Sequence, residues 1–419
     1  MKICIKRGAH QIGGSCVEIA ADNGKKIMID IGMPLSEDFV APSQKFMPDI
    51  EYDGLEALLI SHPHGDHYML AGFLEKKVPV YIGRAAAAII NAANSYSPNK
   101  VELRNTQPIE HKKQLTITDT FRVTPYLTDH SAYDAYMFLI EADGKRVLYT
   151  GDFRNHGRKA SLVNKMMARP PKNIDVMLIE GTNVYPSKSE TAEAAADVAS
   201  KSCKSFISEE DLEKKFQCEF EQAKGIAAVW SSCQNIDRLV TIFKAAKRAK
   251  RKLVLPRQVG YIVQEIGNKK LPGFNSSDVY KYKNNPEKRH EIETEMMLKN
   301  PENYVVFLTS PITRDLLSAG LFNSDAVFIW SLWNGYKRQE HTAQTLNAIA
   351  ATGAKIADDL HVSGHASLTT LVEFVDKLNP VRLVPVHTEH PQSFKTLEWK
   401  SGFTGQVETH ADGEWFNVE

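Results

Sequence analysis

The chain has 419 residues, 51 basic and 51 acidic side chains, no net charge and 42% hydrophobic residues. That length suits two or three domains with large cores, and the charge balance excludes a polyanion-binding protein that works by bulk attraction, so any nucleic-acid contact needs a local basic patch. No run of about eighteen apolar residues occurs, which argues against a helical membrane span, and Met1–Arg7 lacks an apolar signal-peptide core.

Residues 2–31 read as a strand, a glycine-rich loop and two more strands. The loop, Gly8-Ala9-His10-Gln11-Ile12-Gly13-Gly14-Ser15, marks a tight turn. His10 reads as a loop residue, not a metal ligand. The third strand ends at Asp30. From 53 to 152, short apolar strands alternate with helical segments such as 83–94, the pattern of an α/β domain. The strand-like run 55–60 leads into Ser61-His62-Pro63-His64-Gly65-Asp66-His67, and a helix is predicted over 68–76. A single His in a turn is usually a solvated surface residue. Here three imidazoles and a carboxylate fall within six consecutive positions on a strand-to-helix loop. Neutral imidazole and carboxylate suit a borderline divalent ion such as zinc. His130, Asp152 and Glu180 each stand at the end of another strand-like run.

After Thr182 the texture changes. Residues 189–224 are charged and helical in period, with an interruption near 202–208. Strands at 226–230, 252–256, 304–309 and 326–330 alternate with helices at 235–250 and 339–350, which predicts a parallel sheet. Residues 269–286 form the most loop-like part. Lys244 to Lys252 is the strongest basic run. Its ordinary reading is a solvated helix face, and its functional reading a stripe that steers a phosphate backbone. From 356 the motifs resume: His361-Val362-Ser363-Gly364-His365 precedes a helix at 367–378, a strand at 381–386 ends at His387, and 407–410 and 415–418 look like terminal strands. The expected organisation is a first domain over 1–180, an insert over 181–357 and a return to the first domain over 358–419. Five sparse cysteines, none in Cys-x-x-Cys, suit free thiols in a reducing, cytoplasmic setting.

His62-x-His64-x-Asp66-His67, followed by His130 and Asp152, resembles the signature of the metallo-β-lactamase superfamily. Glu180, His365 and His387 resemble the three later motifs of its β-CASP branch, whose members are nucleases. The segment 361–365 looks most like ribonuclease J, without that family's C-terminal domain. The glycine-rich loop at 8–15 looks closer to the 3′-end-processing endonucleases of the branch. The resemblance implies an αββα metallo-β-lactamase sandwich with an inserted α/β domain. It also implies two zinc ions, with manganese as an alternative. His62, His64 and His130 would hold one ion, Asp66, His67 and His387 the other, and Asp152 would bridge them. Asp66, Asp152 and His365 would be the catalytic residues. Asp30, Glu180 and Asp134 are candidates to orient the ligands, since a carboxylate that accepts a ligand imidazole's free N–H fixes its tautomer.

His361, Ser363, Gly364 and His365 suit a phosphate, because N–H groups at a helix N-terminus, a hydroxyl and imidazoles converge. A plain helix cap by Ser363 would explain the serine equally. Arg238, in Ser231-Ser232-Cys233-Gln234-Asn235-Ile236-Asp237-Arg238, resembles the family's Ser-Asn-Ile-x-Arg turn and is a substrate-contact candidate; the ordinary reading is an exposed Arg behind a helix cap. Three departures stand out. Thr388 follows His387 where the family has Gly, and 310–314 and 331–335 match neither the Gly/Gln-rich loop nor the Pro-rich stretch of ribonuclease J. The leading expectation is a zinc-dependent ribonuclease acting on single-stranded RNA, in a 5′-to-3′ mode that prefers a 5′-monophosphate. Single-stranded DNA is a second substrate, and a homodimer is one option for assembly. The alternatives are an mRNA-processing type of endonuclease, a lactonase or thioesterase on the same fold, and a non-catalytic RNA-binding subunit.

Overall fold

Strands whose odd and even residues are both apolar have to be buried on both faces, and this decides the architecture around the histidine loop. In Leu55–Leu59 and the residue after it, Ala57 and Leu59 join one core while Leu58 and Ile60 join another. The same split runs through Lys26–Ile29, Tyr136–Ala142, Lys145–Tyr149 and Val176–Glu180. The computed structural model describes residues 1–35, 40–97, 99–186, 206–283 and 291–419. These divide into two units, Met1–Phe206 with Gly364–Glu419, and Ile207–Ser363.

The first unit holds two seven-stranded sheets among the described residues. In the first sheet the order is Trp415–Asn417, Lys2–Arg7, Cys16–Ala20, Lys26–Ile29, Leu55–Leu59, Val80–Gly83 and Thr106–Ile109. In the second it is Gln406–Val407, Arg382–Val386, Val176–Glu180, Lys145–Tyr149, Tyr136–Ala142, Phe121–Leu127 and Leu115–Ile117. Their inner faces meet in a core of Ile3, Ile5, Ile27, Leu59, Phe138, Val147, Leu178 and Val384. Helix Arg84–Asn94 covers the outer face of the first sheet through Ala86 and Ile90. Helices Ala160–Ala168 and Leu368–Leu378 cover the second through Val163, Leu371 and Phe374. This is the expected αββα sandwich.

The second unit carries its own seven-stranded sheet, parallel at every pairing among the described residues. Its order is Glu291–Ile292, Val279–Tyr282, Lys252–Leu255, Tyr304–Phe307, Ala227–Trp230, Val327–Trp330 and Lys355–Ala357. Its inner strands, Lys252–Leu255, Tyr304–Phe307, Ala227–Trp230 and Val327–Trp330, are short and almost wholly apolar, the composition that a parallel sheet covered by helices demands.

Three local expectations change. The helix predicted over 68–76 is instead a single turn, Gly65–Tyr68, and a 3-10 turn, Ala71–Phe73. The backbone explains it: the His67 carbonyl accepts from Ile31 N–H and the Leu70 N–H donates to Ile31 O, so neither is available for helix propagation. The stretch 269–286 contains the strand Val279–Tyr282, anchored by buried Val279 against Leu253; its last residues, and 187–205 of the charged stretch, lie outside the described residues. The basic run is tied down by partners within its own unit. Lys247 and Lys252 pair with Asp278, Arg248 pairs with Glu213, and the buried Arg251 donates to the carbonyls of Gly225 and Ala223. Lys244 and Lys250 of the run are exposed, and surface pairs of this kind are worth little, so the run lies as a solvated helix face.

Phe138 is fully buried between the two sheets. Phe138→Ala is expected to cost about 3–5 kcal/mol, read as a fall in the denaturation midpoint at constant slope. A loss below about 1 kcal/mol would show that the inner faces are not a close-packed core.

Candidate metal centre

Five loops of the first unit bring their side chains together. Each follows the carboxyl end of a strand: Asp30 after Lys26–Ile29, Ser61 to His67 after Leu55–Leu59, His130 after Phe121–Leu127, Asp152 after Lys145–Tyr149, and His387 after Arg382–Val386. His62, His67, His130, Asp152 and His387 are buried. Ligand atoms of His62, His64, His130 and Asp152 all lie within 4.8 Å of one another, as do those of Asp66, His67 and His387. Asp152 is shared: Oδ2 is 3.6 Å from His62 Nε2 and 3.2 Å from His67 Nε2, and Oδ1 is 3.7 Å from His387 Nδ1. His387 Nε2 is 3.2 Å from Asp66 Oδ2, and His130 Nε2 is 3.1 Å from His64 Nδ1. Asp152, His365 and His387 make a third group of the same tightness.

The loops are held in register by specific contacts. Arg7 donates to the carbonyls of Gly14, Gly32 and Phe46 at 2.7, 2.6 and 2.8 Å. Ser15 N–H donates to Asp66 O at 3.0 Å, so the glycine-rich loop backs the histidine loop. Gly32 has no room for a side chain, because a Cβ there would lie 1.6 Å from Asp66 O. His387 takes the left-handed backbone conformation, at φ 51°. Thr388 does not need it, which accounts for the absence of the family's glycine. The His387 N–H donates to Gly8 O at 2.7 Å, and buried Thr388 accepts from His390 N–H through Oγ1 at 3.1 Å.

Two of the three candidate orienting carboxylates sit against the histidines. Asp30 Oδ2 lies 2.8 Å from His67 Nδ1. Glu180 Oε2 lies 3.4 Å from His365 Nδ1, and Glu180 also accepts from Thr182 N–H and Ala366 N–H. Asp134 is elsewhere. It accepts from the N–H groups of Ala85 and Ala86 at 2.8 and 3.0 Å and so caps helix Arg84–Asn94 from outside, where the macrodipole favours a carboxylate. Three contributors were not singled out from the sequence. Ser61 and Tyr149 donate to Asp30, and Thr182 Oγ1 sits 2.8 Å from His387 Nδ1 and 3.1 Å from His365 Nδ1. Only adjacency marked them: Ser61 precedes His62, and Thr182 is two residues beyond Glu180.

The candidate phosphate residues are dispersed differently from expectation. The helix after them starts at Leu368, and its N-cap is Ser367, which accepts from Thr370 N–H at 3.2 Å. Ser363 is therefore not the cap, and 361–365 lie upstream of the helix N-terminus. The Gly364 carbonyl instead lies 2.6 Å from His130 Nδ1. In the second unit, His361 Nδ1 is 3.5 Å from Arg238 Nη1. Arg238 is fully buried, neither an exposed Arg nor an available substrate contact. It is held by Glu209 at 2.9 Å and donates to Ser331 Oγ.

The donor set fits a divalent cation pair. His62 Nε2, His67 Nε2 and Asp152 Oδ1 are buried with no hydrogen-bond partner among the described residues, an expensive state unless something coordinates them. Burial holds His64 down at about 4 and pushes His62 and His130 well below the usual imidazole range, so these three are neutral, as ligation requires. Burial resists charge on Asp66 as well, but His67 and His387 hold it down at about 2. Burial opposes an imidazolium at His365, yet Glu180 and Asp152 outweigh it and raise it to about 9.

Asp30 is the second-layer anchor whose loss is easiest to read. Asp30→Asn is expected to lower affinity for a divalent cation by about 10–100-fold, measured by competition with a chromogenic chelator. Unchanged affinity would mean that His67 is held by its packing alone.

Residues 26–208 match the model of the β-lactamase superfamily domain. The chain is 28% identical over 189 residues to the RNase J-like protein of Methanocaldococcus jannaschii, covering 43% of this chain and 42% of that protein. It is 24% identical to ribonuclease J of Mycoplasma genitalium over 93% of this chain and 68% of that one. The chain thus spans less than half the length of the first relative and about two thirds of the second. A crystal structure of a protein of unknown function from Enterococcus faecalis V583 superposes with a TM-score of 0.79 at 20% identity, over 99% of both chains, a likeness of fold alone. Taken with the αββα sandwich and its interrupting α/β unit, these matches make the chain similar to the β-lactamase superfamily domain over 26–208 and to ribonuclease J over most of its length.

Proposed function

We propose that the protein is a two-metal ribonuclease that hydrolyses phosphodiester bonds of single-stranded RNA. The observation that carries this reading is the convergence of buried, unpartnered ligand atoms on Asp152. The names of the relatives, ribonuclease J among them, support RNA as the substrate. His62, His64 and His130 would hold one cation, Asp66, His67 and His387 the other, with Asp152 common to both. Zinc suits the imidazole-rich donors, and manganese is the second choice. Such a pair, when bound, supplies Lewis acidity that activates water and neutralises charge on the phosphoryl oxygens.

The remaining work falls to the chain itself. Asp30 holds a proton on His67 Nδ1, and the Gly364 carbonyl holds one on His130 Nδ1, which leaves each Nε2 lone pair pointing into the cluster. Glu180 keeps His365 charged, so His365 can steady the negative phosphate and give its proton to the departing oxygen. His361, Ser363 and Gly364 would take a neighbouring nucleotide phosphate, with Arg238 acting behind His361 instead of on RNA. The unit that interrupts the sandwich would serve as the RNA-binding β-CASP domain. We assign a 5′-to-3′ mode with preference for a 5′-monophosphate, on the ribonuclease J-like segment 361–365, and a cytoplasmic setting. The endonuclease alternative rests on the glycine-rich loop, which backs Asp66 here. A lactonase or thioesterase would make no use of the His361 to His365 segment, and single-stranded DNA remains a substrate to be tested beside RNA.

The protein is expected to hold about two zinc or manganese ions per chain and to release mononucleotides stepwise from 5′-phosphorylated, end-labelled RNA. Asp152→Asn should abolish turnover and leave RNA binding nearly intact. Equal cutting of circular and linear 5′-phosphorylated RNA would replace the exonuclease by the endonuclease. Turnover retained in the metal-replete Asp152→Asn protein would remove the bridging role.

A further inference from the structure

We propose that Trp333 and the residues around it form a base-stacking platform for single-stranded RNA in the second unit. The inference rests on the ribonuclease reading above and names how the RNA chain is gripped. Trp333 is the most exposed large hydrophobic residue among those described, at 64%. A single exposed apolar side chain is ordinary by itself, and what sets Trp333 apart is how its ring is held. The ring is not loosely displayed. A Cβ at Gly335 would lie 2.2 Å from the six-membered ring of Trp333, so the indole rests on the backbone at Gly335. Tyr336 meets it edge-on, with ring centroids 5.5 Å apart and planes at 86°. An aromatic ring fixed on one side and bare on the other loses little freedom when a nucleobase stacks on it.

The surroundings suit a polyanionic strand. The short helical turn Asn334–Arg338 carries Lys337 and an exposed Arg338 directly after the two aromatic residues. Lys337 is anchored by Asp358 at 2.9 Å, which leaves Arg338 as the residue placed to meet a phosphate. Position in the sheet agrees. Trp333 follows the carboxyl end of strand Val327–Trp330, and its parallel neighbour Lys355–Ala357 leads at the same edge to His361. That edge is where ligands of parallel α/β sheets bind. Ser331 Oγ donates to Leu360 O at 2.6 Å and also accepts from Arg238. The Trp333 loop and the His361 segment are therefore stapled at their roots, and a strand held by its phosphate at one would be presented to the other.

The test is binding and cleavage by the full chain with Trp333→Ala and Trp333→Phe, using oligouridylate of about ten nucleotides and a dinucleotide as probes. Because the side chain is exposed, both variants should fold as the wild type does, which thermal melting checks. Oligouridylate should quench tryptophan emission of the wild type and quench Trp333→Ala much less. Trp333→Ala should bind the oligonucleotide about tenfold more weakly, as loss of one stacked base predicts, and Trp333→Phe should recover most of it. KM for the long RNA should rise more than KM for the dinucleotide. Equal affinity of wild type and Trp333→Ala for the oligonucleotide would overturn the platform. So would a Trp333→Ala effect confined to self-association in sedimentation, which would make the surface a contact between copies of the chain. A wild type that binds no single-stranded RNA at all, with metal loaded, would instead overturn the ribonuclease reading on which the platform depends.

Discussion

The arrangement of the sandwich turns on one buried carboxylate. Asp30 is fully buried and takes hydrogen bonds from Ser61 N–H, Ser61 Oγ and Tyr149 OH, with His67 Nδ1 at 2.8 Å. Ser61 and His67 belong to the loop after a strand of the first sheet, and Tyr149 to a strand of the second. A buried anion is tolerable only when its lone pairs are filled. The two sheets are thus registered at the point where their loops bring the histidine and aspartate side chains together. Asp30 itself sits at φ 56°, a conformation uncommon for a residue with a side chain. Tight turning at the strand end and four-fold satisfaction of the carboxylate are one requirement.

The second unit uses the same logic with different chemistry. Arg238, Glu209, Thr241 and Ser331 form a buried network in which Glu209 accepts from both Arg238 and Thr241. Removing one member of such a pair leaves an uncompensated buried charge. The network stands behind His361 and Leu360, as Asp30 stands behind His67. In both units the exposed or reactive groups lie just past the carboxyl ends of strands, and a saturated polar cluster beneath them fixes where they point.

Much of this was legible in the sequence. The histidine loop, His130, Asp152, Glu180 and His387 announced themselves by residue type after apolar runs, because strand periodicity and ligand chemistry are both local signals. The apolar runs alone read as an α/β domain, and the αββα layering came only with the family resemblance. What escaped was set by tertiary partners. The helix after His67 stops early because Ile31 takes its backbone groups. Asp134 looked like a ligand-orienting acid until helix Arg84–Asn94 was folded against it. Arg238 matched a substrate motif, but burial beside Glu209 commits it inward. Thr182 is an ordinary threonine until the chain returns at 365 and 387 to put two imidazoles on its hydroxyl.

His387 carries a consequence of a different kind. Its left-handed backbone, at φ 51°, is held by Gly8 from below, and conformations of this sort cost of order 1–3 kcal/mol. The imidazole is also crowded among Asp66, Asp152 and His365. A glycine at the same position would relax the backbone but would remove the imidazole that pairs with Asp66 and Asp152, leaving two buried carboxylates without it. Strain in the backbone of this residue is therefore offset by its side chain. Drift to glycine here would take a group out of the centre while the sandwich around it stayed in place. The fold would persist as a binding scaffold with its chemistry gone.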